Sequence, residues 1–153
     1  MPPNGGKLQT IINVQSKMNN MELIQYLKTN CHWENRVIIS PNELMTIYKK
    51  ENYKPTSKLI DFLIYFYNME IQFPNVDVHF NTKKVLKRTP YYLRFEEYCN
   101  LLDVSDVCPF GEYDLGYMVL LIDNKDNIYG VMDDYVERFG NDYFKMLNQL
   151  YSR

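Results

Sequence analysis

In the stretch IDNKDNIYG, residues 122–130, two Asp and two Asn fall within five consecutive positions. Oxygen donors at that density either ligate calcium or turn the chain between two strands. An EF-hand loop needs oxygen ligands at its positions 1, 3 and 5, Gly at 6 and an acid at 12. Counted from Asp123, position 3 is Lys125, a cation where a ligand must be, and position 6 is Ile128; the acid at position 12, Asp134, does not rescue the loop. Counted from Asn124, Ile128 falls at position 5. Calcium is not expected. The flanks GYMVLLID and NIYGVM both read as strands, so residues 124–126 are expected to form a hairpin loop. Asn127 then stands where such a loop needs a left-handed backbone.

His32 and His79 are the two histidines, and Cys31, Cys99 and Cys108 the three cysteines. Adjacent side chains such as Cys31 and His32 diverge, and no second ligand pair stands at a zinc-type spacing. No metal and no cofactor are expected, and the cysteines read as three reduced thiols. His32 is expected to help seat Trp33, and His79 to lie on the polar side of a strand. The carboxylate pairs Glu96-Glu97, Asp133-Asp134 and Glu112 with Asp114 could serve acid–base chemistry only if they faced one cleft with shifted pKa values. The chain also lacks G-x-S-x-G, P-loop and G-x-G-x-x-G signatures. No catalytic residues are expected.

Tyrosine is abundant, with 14 residues. Tyr53, Tyr91, Tyr113, Tyr135 and Tyr143 read as loop or polar-face positions. In GEYD and DDYVE tyrosines alternate with acids, a composition suited to holding a basic protein. Tyr113, Asp114, Asp133, Asp134 and Tyr135 are the expected partner contacts. Charge is unevenly spread: residues 1–100 carry 13 Lys/Arg against 9 Asp/Glu, whereas residues 101–153 carry 4 against 10. The acidic half suits steering of a basic partner. No cationic face of the size that nucleic acid requires is implied.

The elements that must position these groups follow from periodicity. Residues 1–19 read as a poorly ordered leader, with Met1, Met18 and Met21 all compatible with a natural start, and residues 20–153 as one domain. Asn20 is expected to cap a helix over residues 21–29. Ser40-Pro41-Asn42-Glu43 opens a second, and Thr56 a third with Leu59, Phe62, Leu63 and Phe66 on one face. Ile71, Phe73, Val76, Val78 and Phe80 alternate around Pro74-Asn75 as a hairpin. Thr89-Pro90 is expected to start a helix with Tyr92, Phe95, Cys99 and Leu102 inward. Strands follow over residues 107–113, 116–123 and 127–132, and Asn141 is expected to cap a final helix. Helices mostly first and strands mostly last predict an α+β class with an antiparallel sheet. No apolar run reaches membrane-span length and the opening MPPNGGKLQT has no signal-type run, so a cytoplasmic protein without membrane contact is expected.

Taken together, CPFGEYDLGYMVLLIDNKDNIYGVMDDYVERFGNDYFKMLNQL resembles the closing segment of the SUKH superfamily, in its third group of bacterial immunity proteins. The matching positions are Pro109, Gly111, Glu112, Gly116, Asp123, Ile128, Tyr129, Gly140, Leu147 and Leu150. Upstream, CHWENRV resembles the family's Trp-containing turn, FLIYFYNMEIQFP its helix-to-strand passage, and VHFN its paired strand. The likeness spans about residues 21–151. It departs at Asn127, where the family carries Gly, and at YNME, where the family is Gly-rich. The resemblance implies a curved antiparallel sheet flanked by N-terminal helices and a C-terminal helix, and a non-enzymatic role. The chain would bind and neutralise a cognate polymorphic toxin, a nuclease or deaminase, as a monomer by default. The alternatives are a scaffold or regulatory module of the same superfamily, and a small enzyme using Cys31 or the Asp pair.

Overall fold

Side-chain oxygens placed one turn ahead of apolar helical faces start several of the helices. The computed structural model describes residues 17–153. Ser40 Oγ accepts a 3.1 Å hydrogen bond from the Glu43 amide, and Pro41 fills the first helical position. Thr56 Oγ1 accepts from the Leu59 amide at 3.2 Å. The helices are α1 (Lys17–Asn30), α2 (Pro41–Lys50), α3 (Ser57–Leu63), α4 (Thr82–Arg88), α5 (Tyr91–Leu102) and α6 (Tyr143–Tyr151). The strands are β1 (Glu70–Gln72), β2 (Asp77–His79), β3 (Val107–Tyr113), β4 (Met118–Asp123), β5 (Ile128–Met132) and β6 (Tyr135–Gly140).

The six strands form one open sheet in sequence order, each antiparallel to the next. The class is therefore α+β with an antiparallel sheet and helices at both ends of the described chain. Every residue of β3 and β4 is buried, because helices cover both faces. On one face Phe110, Leu120, Ile122 and Ile128 pack with Leu44 and Tyr48 of α2, Phe62 of α3 and Leu147 of α6. Phe62 is central there, stacked on Phe66 at 4.6 Å and on Tyr143 at 4.4 Å. On the other face Val107, Val119, Leu121, Tyr129 and Val131 pack with Val85 of α4 and with Tyr98 and Leu102 of α5.

A bulge at Pro109–Gly111 breaks the ladder of β3. The Pro109 carbonyl accepts from Tyr48 Oη at 2.7 Å and the Phe110 carbonyl from Thr82 Oγ1 at 3.1 Å. A Cβ on Gly111 would stand 2.8 Å from the His79 carbonyl oxygen, so only glycine fits. These bonds tie α2 and α4 to the strand that leads to the hairpin tips.

Several expectations are corrected. The expected leader lies outside the described residues up to position 16, and residues 17–19 already belong to α1. Asn20 is therefore inside that helix, buried, and its Oδ1 accepts from Asn148 Nδ2 at 2.7 Å; a tertiary contact claims its side chain. Asp142, not Asn141, caps α6, accepting from the Lys145 amide at 3.0 Å. Thr89 ends α4 by donating to the Val85 carbonyl at 2.7 Å, and Pro90 takes the cap position of α5 with no side-chain bond. Tyr92 is exposed, and the inward face of α5 runs through Tyr91, Phe95, Tyr98 and Leu102. At the β4–β5 loop the positive φ of 63° belongs to Asp126, not to Asn127.

A candidate interaction face at the hairpin tips

An antiparallel meander brings alternate turns to one end. The β1–β2 turn at Pro74-Asn75, the β3–β4 turn at residues 114–117 and the β5–β6 turn at Asp133-Asp134 therefore share one edge of the molecule. Register Val119↔Val131 carries Tyr117 alongside Asp133, which sets the last two turns next to each other. Leu115 is 80% exposed, Tyr117 65%, Tyr135 56% and Met132 41%. Asp114, Asp133 and Asp134 are exposed around them. Four large side chains, each leaving two fifths or more of its surface exposed, thus sit among three carboxylates.

The backbone under this patch is unusual. Asp114, Leu115 and Gly116 have φ of 56°, 57° and 84°, three consecutive residues in the left-handed region. Contacts on several sides hold them there. The Asp114 amide donates to the Asp77 carbonyl at 3.1 Å, and the Leu115 amide to Asp77 Oδ1 at 2.7 Å. Arg88 Nη2 donates to the Gly116 carbonyl at 3.1 Å, and its Nη1 lies 2.7 Å from Glu112 Oε2. Glu112, buried, takes a second bond at Oε1 from Asn81 Nδ2 at 2.8 Å. The Pro-x-Gly-Glu residues that carried the resemblance thus have structural duties here: Gly111 permits a close approach, and Glu112 anchors the brace beneath the tip.

Of the five expected contact residues, Asp114, Asp133, Asp134 and Tyr135 lie on this face and Tyr113 does not. Tyr113 is buried, pointing inward from β3, edge-on to Phe139 with ring centroids 5.7 Å apart. Its hydroxyl donates to Glu137 Oε1 at 2.6 Å. Burial first, and the Glu137 carboxylate second, push its pKa far above the usual phenol value. Tyr53 and Tyr143 are likewise core residues rather than surface ones, and Tyr53 Oη donates to the Thr89 carbonyl at 2.5 Å. Sequence reasoning missed Leu115, Tyr117 and Met132. For Leu115 and Tyr117 the signal was a large apolar residue inside a Gly-containing turn, which periodicity alone reads as an extension of the strand; Met132 closes β5 and carried no separate signal.

The remaining chemistry-bearing residues do not converge. Asp123 is almost wholly consumed by its own loop: Oδ1 accepts from the amides of Lys125 and Asn127 at 2.8 and 2.9 Å, and Oδ2 from Asn127 Nδ2 and Tyr129 Oη, both at 2.9 Å. Glu96 and Glu97 are exposed, with Glu97 paired to Arg94 at 2.9 Å. Glu112 is buried on Arg88 while Asp114 faces solvent. His32 is exposed with φ of 55°, and Trp33 is seated instead by Phe66, stacked at 5.1 Å, and by the Tyr65 carbonyl at 2.9 Å. Among the described residues no three His, Cys, Asp or Glu side chains come together as a metal site, and no helix is long and apolar enough to cross a membrane. A groove of about 260 Å³ between α2 and α4 is lined by Thr46, Ile47, Lys50, Glu51, Lys83 and Lys87, three cations and one carboxylate.

Fold and site together define an α+β protein with a six-stranded antiparallel meander and an acid-rimmed apolar tip. Comparison with family models, with curated proteins and with solved structures gives no match.

Proposed function

We propose that the chain is an immunity protein that binds a cognate toxin, a nuclease or deaminase, and neutralises it by protein–protein contact. The observation that supports this is the tip: Leu115, Tyr117, Met132 and Tyr135 exposed together among Asp114, Asp133 and Asp134. Contiguous exposed apolar groups of this kind mark interaction sites, and aromatic residues are favoured at their centres. The carboxylates select a cationic partner and steer its approach. A stable interface covers about 800 Å² on each partner, so the tip is its centre and neighbouring residues complete it. The likeness to SUKH immunity proteins supplies the class of partner.

The test is co-expression with the C-terminal domain of the protein encoded by the adjacent gene, scoring survival and co-purification. Wild-type chain should protect the cell and co-purify. Replacing Asp133 and Asp134 by Lys should slow association about tenfold at low salt and flatten its salt dependence. Failure of the wild-type chain to protect or bind would sink the reading.

A further inference from the structure

We infer that Leu115 is the anchor of the tip surface, presented in a strained conformation for insertion into an apolar socket with a cationic rim on a protein partner. The inference rests on the toxin-binding reading and adds which side chain holds the partner. Positive φ is ordinary for Gly and tolerated by Asn and Asp, but costly for a branched apolar side chain. Leu115 adopts φ of 57° and leaves 80% of its surface in water, so burial within the chain does not offset that cost. The position is nevertheless tightly determined. Asp77 holds the Leu115 amide, and Arg88 holds the Gly116 carbonyl, while buried Glu112 and Asn81 fix Arg88 from below. Strain that the surroundings over-determine is characteristic of functional positions.

The neighbours define the occupant. Tyr117, Met132 and Tyr135 give apolar contact area around the knob, and Asp114, Asp133 and Asp134 ring it with negative charge. A second copy of the chain would set carboxylates against carboxylates at this face, so pairing of tip to tip is disfavoured. A socket lined by aliphatic or aromatic groups and edged with Lys or Arg is complementary to both features. A preformed knob also reduces the ordering cost of association, so its contribution appears in how long the complex lasts.

The test uses Leu115→Gly and Leu115→Asn in the full chain, with two readouts. The first is thermal unfolding. Relief of the backbone strain should raise Tm by about 2–4 °C in either variant, whereas a residue kept for stability would lower it. The second is association kinetics with the toxin domain encoded by the adjacent gene. Dissociation should accelerate about tenfold or more with little change in association rate, the converse of the Asp133 and Asp134 reversals. A lowered Tm in both variants overturns the inference. A raised Tm with unchanged dissociation overturns the anchor and leaves the toxin reading standing. If wild-type chain does not bind the toxin domain at all, both fall together.

Discussion

Tyr113 lies across Gly130 so closely that a Cβ on the glycine would sit 1.8 Å from the phenol oxygen. The two residues belong to β3 and β5, separated by β4, and the missing side chain on β5 is the space the ring occupies. The ring is held from the far side by Glu137, which also pairs with Arg153, and the Arg153 guanidinium lies 5.9 Å from the ring centroid. The tip-side half of the sheet is thus locked to the residues that follow α6.

Gly130→Ala should therefore destabilise the fold by about 3 kcal/mol, because a buried aromatic ring must leave its place. Tyr113→Phe keeps the ring and loses one hydrogen bond to a carboxylate, for about 1–2 kcal/mol, with Glu137 still paired to Arg153. Urea unfolding of both variants checks the order. A Gly130→Ala variant as stable as wild type would show that the ring does not rest on the glycine.

The same pair shows what could be read from the chain and what could not. Hairpins announced themselves: Ile71, Val78 and the strands around residues 122–130 alternate or run apolar between turn residues, and an antiparallel sheet followed. Ser40 and Thr56 caps were legible because capping is local. Tyr113 was not, since its neighbours Glu112 and Asp114 are acidic and only the third dimension shows it facing Gly130. β6 escaped for a related reason. Its sequence YVERFG mixes charges with apolar residues, as suits an edge strand whose Glu137 and Arg138 make tertiary contacts. α4 escaped because its seven residues hold only two large apolar groups, Val85 and Leu86, among four cations. Half of the tip surface was legible from its acids and Tyr135; the other half depended on two turns lying side by side.

Asp123 should make stability fall in acid. Burial pushes its pKa up, but the side-chain and backbone bonds from Asn127, with those from Lys125 and Tyr129, together outweigh burial and hold it below the usual 3.8. A pKa depressed in the folded state means the unfolded chain binds the proton more readily. The stabilisation is therefore complete above about pH 4 and is lost as pH falls through the folded value. Asp123→Asn removes the charge, and its amide donates toward groups that themselves donate, so the variant should lose about 2–3 kcal/mol at pH 7. It should also show a flatter stability profile below pH 4. Equal acid sensitivity in variant and wild type would reject the assignment.

The thiols supply a check on both the core and the enzymatic alternative. Cys108 is buried against α2, and burial pushes its pKa far up, with Asp106 adding to the shift and Tyr48 opposing it. Cys31 and Cys99 are half-buried, and burial raises both, Cys99 further through Asp106 and Glu96. The thiolate is the reacting species, so a raised pKa slows attack on an electrophile at neutral pH. Native protein at pH 7 should react with iodoacetamide more slowly than a free thiol at Cys31 and Cys99, and at Cys108 only after unfolding. Denaturant should then release the third thiol in step with loss of the tertiary circular dichroism signal. A cysteine that reacts faster than a free thiol in the folded chain would instead favour a nucleophilic role, and if it were Cys31 the small-enzyme alternative would gain its missing group.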